Sequence, residues 1–295
     1  MCFVELKKYN LKMKKIVILT PMYNEGELIE RVIEGVVNQS VKPYLWLIIN
    51  DNSNDNCADI VRRYESEHAW IKLIDSNIQM AENYGPKIVS VRTVGYNYVI
   101  DNNIEFDYLA HLDADIVLCK SYFEDILKAF ENDKKLGICA GNLKLENGKV
   151  EQTRSIYIRD ANRVFRKECL EQTGYQKYMW LHDSSDKMQA LFYGWNVYRI
   201  DNISLHLRPT GDKMKLKYCF AFGCDTNRFG YSPIPFLFKS MKFFKKKPYI
   251  IAWLGYSFGY ISGTLKPKYF SKEFNHFLND FYLKDIRKQL TEEKK

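Results

Sequence analysis

The sequence predicts an α/β protein in which a mostly parallel sheet carries helices on both faces and a helical C-terminal extension follows. In the first 145 residues, short β-rich runs alternate with segments of helical spacing. Beyond Gly211 the spacing becomes mainly helical, and basic and aromatic residues concentrate there. A hydrophobic content of 46% fits a folded chain and argues against disorder.

Short apolar runs predict the strands of the first half, at 15–19, 44–49, 71–74, 108–112 and 136–140. Apolar residues at helical spacing predict the intervening helices, at 27–38, 57–67, 87–100 and 122–130. The following region is mixed, with helices expected at 159–172 and 186–192 and short strands at 197–200 and 204–207. Strands that alternate with helices imply parallel pairing with crossover helices on both faces.

Polar loops follow three of the predicted strands, at residues 21–26, 51–56 and 113–115. Ligands bind at the carboxyl ends of parallel strands, so we expect these loops to open at one edge of the sheet. In the third loop, Asp113 and Asp115 offer two hard oxygen ligands, which suit Mg²⁺ or Mn²⁺ bridging a diphosphate. An extended backbone would point both side chains to the same side, whereas the competing interpretation is a solvated acidic turn.

The other two loops carry further candidates for ligand contact. Asp51 could accept hydrogen bonds from a base or ribose, or it could form an Asx-turn or a helix cap. Asp55 is a better cap for the helix at 57–67. In the first loop, Asn24 and Glu27 have the spacing of a capping box. This leaves Tyr23 and Glu25 to be explained by other roles, and both could face a nucleotide base.

Three more side chains could take part in chemistry. Arg92 lies in a helix among apolar neighbours, where it could contact a carboxylate or phosphate of the site or form a surface ion pair. Asp186 is expected to begin a helix, where it could act as a general base or stabilise the helix N-terminus, with Asp183 as its competitor. His206 ends a predicted strand, where a lone histidine is more often structural than a ligand.

The formal charge of +8 lies entirely in the last 65 residues, from Tyr231 to Lys295. Lysines at 239, 242 and 245–247 precede an apolar segment at 249–265 that contains three glycines. We expect this segment to be an interfacial or buried helix, either attached to an anionic membrane surface or packed on the rest of the chain. Nucleic acid would explain the basic residues but not the acids at the strand ends.

Seven scattered cysteines lack metal-ligand spacing and fit reduced thiols in a cytoplasmic protein. Residues 1–15 lack the apolar stretch of a secretory signal. We therefore expect a cytoplasmic protein, peripheral at the inner face of the cell membrane if the basic segment binds lipid.

The ordered set of motifs resembles the inverting glycosyltransferase family 2, whose GT-A fold is a Rossmann-like sheet that binds nucleotide-diphospho-sugars. The resemblance rests on residues 20–25 (TPMYNE), 50–55 (NDNSND), 91–95 (VRTVG) and 113–115 (DAD), and covers roughly 14–240. The later stretch from Asp186 through Trp195 to Gly211 looks like a branch of that family found among polysaccharide enzymes.

The resemblance implies a role for each matching residue. Pro21, Tyr23 and Glu25 would line the nucleotide base and ribose, and Asp51 would bind the base, usually uracil. Arg92 would support the donor site, and Asp113 would contact the ribose or donor sugar. Asp115 would ligate Mg²⁺ or Mn²⁺, and His206 would join the metal or the diphosphate. Asp186 would be the catalytic base.

Three positions depart from the family's usual pattern. Asn50 replaces the first acid of an Asp-Asp pair, and Thr93 replaces an asparagine after Arg92. A Glu-Asp pair before the catalytic helix is represented here by Ser185 and Asp186. The departures therefore bear on the catalytic base more than on the donor site.

The resemblance implies inverting transfer from a nucleotide-diphospho-sugar, expected to be a UDP-sugar, to a saccharide or lipid-linked acceptor in surface polysaccharide or glycan synthesis. We expect a catalytic domain at 1–235, with a donor half at 14–145 and an acceptor half at 146–235, and an extension at 236–295. Alternatives are a non-catalytic nucleotide-sugar-binding module at a membrane and a sugar nucleotidyltransferase. The absence of basic residues at 21–26 disfavours the latter.

Overall fold

The strands and helices predicted for the first 145 residues occur in the predicted order, with one additional short strand at Ile116–Val117. The computed structural model describes residues 14–78, 84–151, 158–175, 179–209, 215–245 and 249–292. The strands are β1 (Ile16–Met22), β2 (Leu45–Asn50), β3 (Ile71–Asp75), β4 (Tyr108–His111), β5 (Ile116–Val117), β6 (Leu136–Leu145), β7 (Arg163–Arg166) and β8 (Asn196–His206).

The helices of the described residues lie between these strands and after them along the chain. They are α1 (Ile29–Val37), α2 (Cys57–Glu67), α3 (Tyr84–Asp101), α4 (Tyr122–Asn132), α5 (Lys167–Thr173), α6 (His182–Phe192), α7 (Leu216–Phe229), α8 (Pro233–Ser240), α9 (Ile250–Gly263) and α10 (Lys272–Glu292). Short 3₁₀ helices lie at Asp160–Asn162 and Met241–Lys245.

The eight strands form one sheet in the order β3-β2-β1-β4-β7-β6-β8-β5. The strands from β3 to β4 run parallel, and the register places Pro21 opposite Ile49 at the carboxyl ends of β1 and β2. Residues 16–19 of β1 are fully buried, as expected for a central strand with both faces covered. The three polar loops therefore open at one edge, as predicted, and the predicted α/β fold class is confirmed.

The second half of the sheet differs from the prediction. The helix expected at 159–172 begins only at Lys167, because residues 163–166 form β7 between β4 and β6. Burial of Val164 and Phe165 in the sheet outweighs the local helical spacing. The two short strands expected at 197–207 are one strand, β8, whose pairing with β6 shifts register between Ala140 and Asn142.

The chain folds as two compact units. The first comprises the described residues of 1–178 and 193–209 and contains the sheet. The second comprises the described residues of 179–192 and 210–295 and contains α6 to α10. A domain boundary at residue 235 stays a prediction. No helix within the described residues is both long and apolar enough to cross a bilayer.

Within the second unit, α7 and α9 pack with their backbones close together. A Cβ added at Gly259 would lie 2.0 Å from the carbonyl oxygen of Phe220, and one added at Gly223 would lie 1.9 Å from that of Tyr256. A Cβ added at Gly255 would meet only the side chain of Leu216, at 2.6 Å. Glycine is therefore required at 259 and 223 by the approach of backbone, which cannot move aside as a side chain can.

This difference predicts that a glycine-to-alanine substitution destabilises the protein at one site on α9 and not at another. Gly259→Ala is expected to lower the free energy of unfolding by about 1–3 kcal/mol, because the two helices must separate. Gly255→Ala is expected to be near neutral, because the Leu216 side chain can rotate and alanine has a helix propensity about 1 kcal/mol more favourable than glycine. Thermal unfolding measures both, and equal losses would contradict the packing described.

Candidate active site at the carboxyl edge of the sheet

The loop after β1 is tied to the loop after β2 through Asn24. This residue adopts a left-handed φ of 52°. Its backbone N–H donates to Ser53 Oγ at 3.1 Å, and its side-chain oxygen accepts from the N–H of Asn54 at 2.8 Å. The predicted capping box of Asn24 and Glu27 is wrong, since α1 begins at Ile29 without a side-chain cap. The asparagine joins two loops of the site instead.

Asp55 completes this connection between the loops. Its carboxylate accepts from the N–H of Gly26 at 2.8 Å and from the N–H of Cys57, the first residue of α2, at 3.1 Å. Asp55 therefore bonds the first N–H of α2 from the residue before the N-cap, Asn56, which has no side-chain cap of its own, and it also holds the first loop. Asp51 is left with other partners.

Asp51 is buried at the end of β2, and its backbone N–H donates to the carbonyl of Met22 at 2.8 Å. One carboxylate oxygen lies 2.6 Å from Lys87 Nζ, and the other accepts from Ser76 Oγ at 3.2 Å. Lys87 Nζ also lies 5.5 Å from the centre of the Tyr23 ring, which is 55% exposed. Asp51 thus forms an ion pair with Lys87 beside the exposed ring of Tyr23. Lys87 was not identified from the sequence as a residue of the site.

Arg92 of α3 is fully buried and bonds two carboxylates. Its Nη2 lies 2.6 Å from Asp113 Oδ1, and its Nη1 donates to Asp160 Oδ2. Burial opposes the charge of Arg92, but the two carboxylates raise its pKa. Of the two interpretations of Arg92, the structure shows contact with carboxylates of the sheet edge rather than a surface ion pair.

Asp160, the second carboxylate bonded to Arg92, also contacts two other buried ionisable side chains. Its Oδ1 lies 2.9 Å from His111 Nδ1 and 3.6 Å from Arg163 Nη1. Burial opposes its charge, but Arg92, His111 and Arg163 hold the pKa of this carboxyl well below its usual range. Sequence reasoning missed Asp160 because it lies in the segment that was expected to be helical.

His111 is neutral in this setting. Burial, with Arg92 and Arg163 nearby, lowers the pKa of His111 to about 4. An ionised carboxylate only accepts hydrogen bonds, so Nδ1 donates to Asp160 and Nε2 accepts from the Tyr175 hydroxyl at 3.1 Å. The histidine thereby orients Asp160, which in turn holds Arg92 against Asp113.

The segment from Asp113 to Asp115 is a turn, closed by a hydrogen bond of 3.2 Å from the N–H of Ile116 to the carbonyl of Asp113. The extended geometry considered for the pair is therefore wrong, and the two carboxylates have different partners. Asp113 bonds Arg92, whereas Asp115 Oδ2 lies 3.5 Å from His206 Nε2. Burial raises the pKa of Asp113, Arg92 lowers it, and Asp115 raises it further, with a net rise.

Strand pairing places His206 beside Asp115, because β5 and β8 pair with Ile116 opposite His206. His206 Nδ1 lies 2.9 Å from Glu151 Oε2, and Glu151 Oε1 lies 3.3 Å from Arg159 Nη2. Burial would lower the pKa of His206, but its hydrogen bonds to Asp115 and Glu151 raise it. Glu151, which sequence reasoning also missed, follows the turn after β6.

The Asp115–His206 pair passes a chemical test for a divalent cation. A carboxylate oxygen and an imidazole nitrogen 3.5 Å apart can be neighbouring ligands of one ion. A carboxylate on the far nitrogen, here Glu151, is the usual second partner of a metal-binding histidine. The described residues contain no ready cluster of three or more such ligands, so most coordination would come from a diphosphate and water.

Arg208 bridges two carboxylates at this position. Its Nη2 lies 2.6 Å from Glu25 Oε1 and 3.2 Å from Asp115 Oδ2, and half of its side chain is exposed. Burial raises the pKa of Glu25, although Arg208 lowers it. The sequence singled out Arg208 only as part of a motif, of which residues 210–211 lie outside the described residues. The positively charged guanidinium of Arg208 therefore lies between the carboxylates of Glu25 and Asp115.

Asp186 lies in the second unit, in the second turn of α6, and is buried. The expectation that Asp186 begins the helix is wrong, because α6 begins at His182. The N–H of Ser185 already makes a helical hydrogen bond of 2.7 Å to the carbonyl of Leu181. The electrostatic effect of the helix N-terminus applies to Asp183 in the first turn rather than to Asp186. The role of Asp186 stays a prediction.

Comparison with known families assigns the chain. The profile described as Glycosyl transferase family 2 matches residues 17–188, which is more than half of the sequence and includes all strands from β2 to β7. The chain belongs to glycosyltransferase family 2. It is therefore a glycosyltransferase, as its motifs indicated.

Two relatives from the genus Staphylococcus match only part of this chain. Poly-beta-1,6-N-acetyl-D-glucosamine synthase of Staphylococcus aureus (strain COL) is 27% identical over 136 residues, 46% of this chain and 30% of that enzyme. The enzyme of that name from Staphylococcus epidermidis is 25% identical over 146 residues, 48% of this chain and 32% of that enzyme. The chain spans about a third of the length of these relatives.

Solved structures show the GT-A-like fold. Staphylococcus aureus TarS 1-349 in complex with UDP-GlcNAc has a TM-score of 0.58 at 14% identity, over 79% of this chain and 67% of that one. The mannosyltransferase PcManGT from Pyrobaculum calidifontis, in complex with GDP-Man and Mn²⁺, has a TM-score of 0.52 at 13% identity, over 94% of this chain and 85% of that one. At these identities the likeness concerns the fold.

The buried histidine makes the stability of this glycosyltransferase depend on pH. In the unfolded chain His111 takes up a proton near its ordinary pKa of 6.5, whereas in the folded chain it does so only near 4. The unfolded state therefore binds more protons between these values, and the histidine costs at most about 3 kcal/mol of folding free energy as pH falls through this window. In His111→Gln, urea unfolding is expected to depend less steeply on pH between 6.5 and 4.

The exposed His276→Gln on α10 is the matched control, and should keep the wild-type pH dependence. An unchanged slope in His111→Gln would contradict the neutral, buried state assigned to this side chain.

Proposed function

We propose that the chain moves a sugar from a nucleotide-diphospho-sugar, a UDP-sugar, to a saccharide or lipid-linked acceptor, with inversion at the anomeric carbon. The observation that carries the proposal is the convergence of three ligand-type groups at one sheet edge of the first unit. They are the Asp51–Lys87 pair, the Arg92–Asp113 pair and the Asp115–His206 pair. Family membership favours this reaction over nucleotidyl transfer and over a non-catalytic module.

The nucleotide is bound, in this proposal, by the loops after β1 and β2. Asp51 accepts a hydrogen bond from the base, and its fixed contacts with Ser76 and Lys87 hold the carboxylate ready for that contact. Tyr23 offers an exposed ring against which a base can stack, with Pro21 and Glu25 beside it. The structure of TarS with UDP-GlcNAc, a protein of similar fold, supports a uridine nucleotide.

The donor sugar and ribose lie at Asp113 in this proposal. Arg92 fixes one oxygen of that carboxylate at 2.6 Å, and 30% of the Asp113 side chain is exposed and able to accept from a sugar hydroxyl. A carboxylate held in place by a buried cation loses little freedom on binding, so its hydrogen bonds contribute more to donor affinity. Arg92 therefore acts through Asp113 rather than by contact with the donor.

Asp115 and His206 would hold Mg²⁺ or Mn²⁺ together with the diphosphate. The bound ion would offset negative charge on the departing diphosphate. Glu151 fixes Nδ1 of His206 and so leaves Nε2 directed at Asp115. Arg208 would have to leave its bridge between Glu25 and Asp115 for Asp115 to bind an ion, and its guanidinium could then bond a phosphate of the donor.

The acceptor hydroxyl gives its proton to Asp186, in line with the family resemblance, with Asp183 as the competing base. The acceptor belongs to surface polysaccharide or glycan synthesis, since the named relatives make poly-beta-1,6-N-acetyl-D-glucosamine. A lipid-linked acceptor would bring the chain to the inner face of the cell membrane. Nucleic acid is not a partner in this proposal.

Glu151 gives a sharp test of the metal site, because it touches neither ion nor donor. Glu151→Gln is expected to weaken Mn²⁺ affinity about 10- to 100-fold, measured as the Mn²⁺ concentration that gives half-maximal thermal stabilisation in UDP-GlcNAc. Asp115→Asn should abolish that stabilisation. Glu146→Gln, an exposed acid near the same turn, is the matched control and should behave as wild type.

Full metal-dependent donor binding in Asp115→Asn would place the ion elsewhere. A panel of UDP-, GDP- and dTDP-sugars in the same measurement would name the nucleotide, and stabilisation by GDP- or dTDP-sugars alone would overturn the choice of uridine.

Asp186 and Asp183 can be separated by paired substitutions. Asp186→Asn is expected to slow transfer about 10²- to 10⁴-fold while donor binding is retained, because a general base contributes about that factor. The measurement is UDP release from UDP-GlcNAc with a panel of N-acetylglucosamine oligosaccharides as acceptors. Asp183→Asn should retain most activity, and the reverse result would give the role of base to Asp183.

A further inference from the structure

The second unit exposes large apolar side chains more than the first unit does. Among the described residues, fourteen exposed large hydrophobic side chains lie in the second unit and six in the first, although the second is the smaller. Soluble surfaces seldom expose contiguous apolar area of this kind unless it meets a partner or a membrane. The distribution along α9 shows where the area is concentrated.

On α9 the exposed side chains fall on one stripe. At about 100° per residue, they lie within an arc of about 100°. They are Ile250, Ile251, Leu254, Phe258 and Ile261. Leu265, just beyond the helix end, continues the stripe and is 89% exposed. The helix therefore presents a continuous aliphatic and aromatic ridge to its surroundings.

The opposite side of α9 carries the small residues. Gly255, Gly259 and Gly263 are buried against α7, so close that a Cβ at Gly259 would overlap the backbone of Phe220. An amphipathic helix of a soluble domain places its bulky apolar residues inward. Tyr256 and Tyr260 also face the protein, but most of the other bulky apolar side chains of α9 face outward, which suits a helix with an apolar medium on its outer side.

The ridge is continuous with the exposed side of α7. Leu216 and Phe220 of α7 line a groove of about 500 Å³ with Ile251, Leu254 and Phe258 of α9. These five residues define the α7–α9 face. Lys217 lies at the same groove and is, among the described residues, the one charged residue that lines it. An apolar groove with a basic group beside it matches lipid chains below anionic head groups.

Charge favours a lipid surface over another protein copy. Residues 210–271 contain eleven Lys and Arg but only two Asp, which gives a net +9. One of the two acids, Asp225, is buried and bonds Tyr269 at 2.5 Å and the N–H of Trp180 at 2.9 Å. The side chains of Lys242 and of residues 245–247 lie outside the described residues and enter this sum through the sequence. Two such surfaces would repel each other, whereas acidic lipids attract them.

We propose that the α7–α9 face docks on an anionic lipid bilayer, with α9 lying in the membrane interface. Phe258, Ile251 and Leu254 enter the acyl boundary, and the surrounding lysines meet the acidic head groups. Docking of this kind would bring the chain to lipid-linked acceptors, but it does not depend on the sugar chemistry proposed above. The two proposals therefore fail separately.

Co-sedimentation of the full chain with vesicles tests the docking. Vesicles of phosphatidylcholine and phosphatidylglycerol in equal parts, at low salt, should bind the wild type, and vesicles of phosphatidylcholine alone should bind it weakly. Phe258→Glu and Ile251→Glu should each lower the partition coefficient about tenfold or more, since each removes apolar burial and adds a repelled charge. Both side chains are exposed, so the fold should persist.

Ile100→Glu is the matched control, an exposed isoleucine on helix α3 of the first unit. It should bind vesicles as the wild type does. The midpoint of thermal unfolding without ligand, measured on every variant, reports that the fold is intact, and stabilisation by UDP-GlcNAc is measured separately to test donor binding.

Three results would overturn the proposal. The first is wild-type chain that stays in the supernatant with the anionic vesicles at low salt. The second is equal binding by Phe258→Glu and Ile100→Glu. The third is a wild-type dimer in light scattering that Phe258→Glu converts to monomer without any vesicle binding, which would mean that a second copy covers the face.

Discussion

The buried guanidinium of Arg92 is the interaction on which the rest of the candidate site depends. An unpaired charge at this depth would be strongly destabilising, so its two carboxylates are required by the fold itself. Asp113 follows β4, the last strand of the parallel half of the sheet, and Asp160 precedes β7, the first strand of the mixed half. The Arg92 guanidinium on α3 therefore connects both halves of the sheet and fixes Asp113, the carboxylate expected to bind the donor. The neutral His111 holds Asp160 in position to bond Arg92.

The parallel half could be read from the sequence because its signals are local. Continuous apolar runs marked β1, β2 and β4, and the polar residues directly after them marked one ligand edge. Residues 57–67 are helical over the full predicted range, and Asp55 bonds the first N–H of this helix. Asp51, Asp113 and Asp115 were found because each follows a strand. The family motifs then supplied roles that position alone leaves open.

What the sequence did not reveal depends on long-range pairing. Asp160 and Glu151 are distant in sequence from the groups they bind, and only β7 and β8 pairing brings them to the sheet edge. β7 itself was mistaken for helix because its four residues gain burial only once they lie between β4 and β6. The sequence predicts an interfacial or buried helix at 249–265, but the outward side of α9 is defined only by the packing of its glycines on α7.

The central claim is that Asp115 and His206 hold a cation with the nucleotide diphosphate, at the position where Arg208 now bridges Glu25 and Asp115. Crystals grown with UDP-GlcNAc and Mn²⁺, with diffraction data recorded at the manganese absorption edge, test it most directly. The account predicts one anomalous peak within bonding distance of the Asp115 carboxylate and His206 Nε2, with Arg208 displaced from its bridge. A bound donor whose diphosphate carries no anomalous peak, with Arg208 still between Glu25 and Asp115, would contradict it.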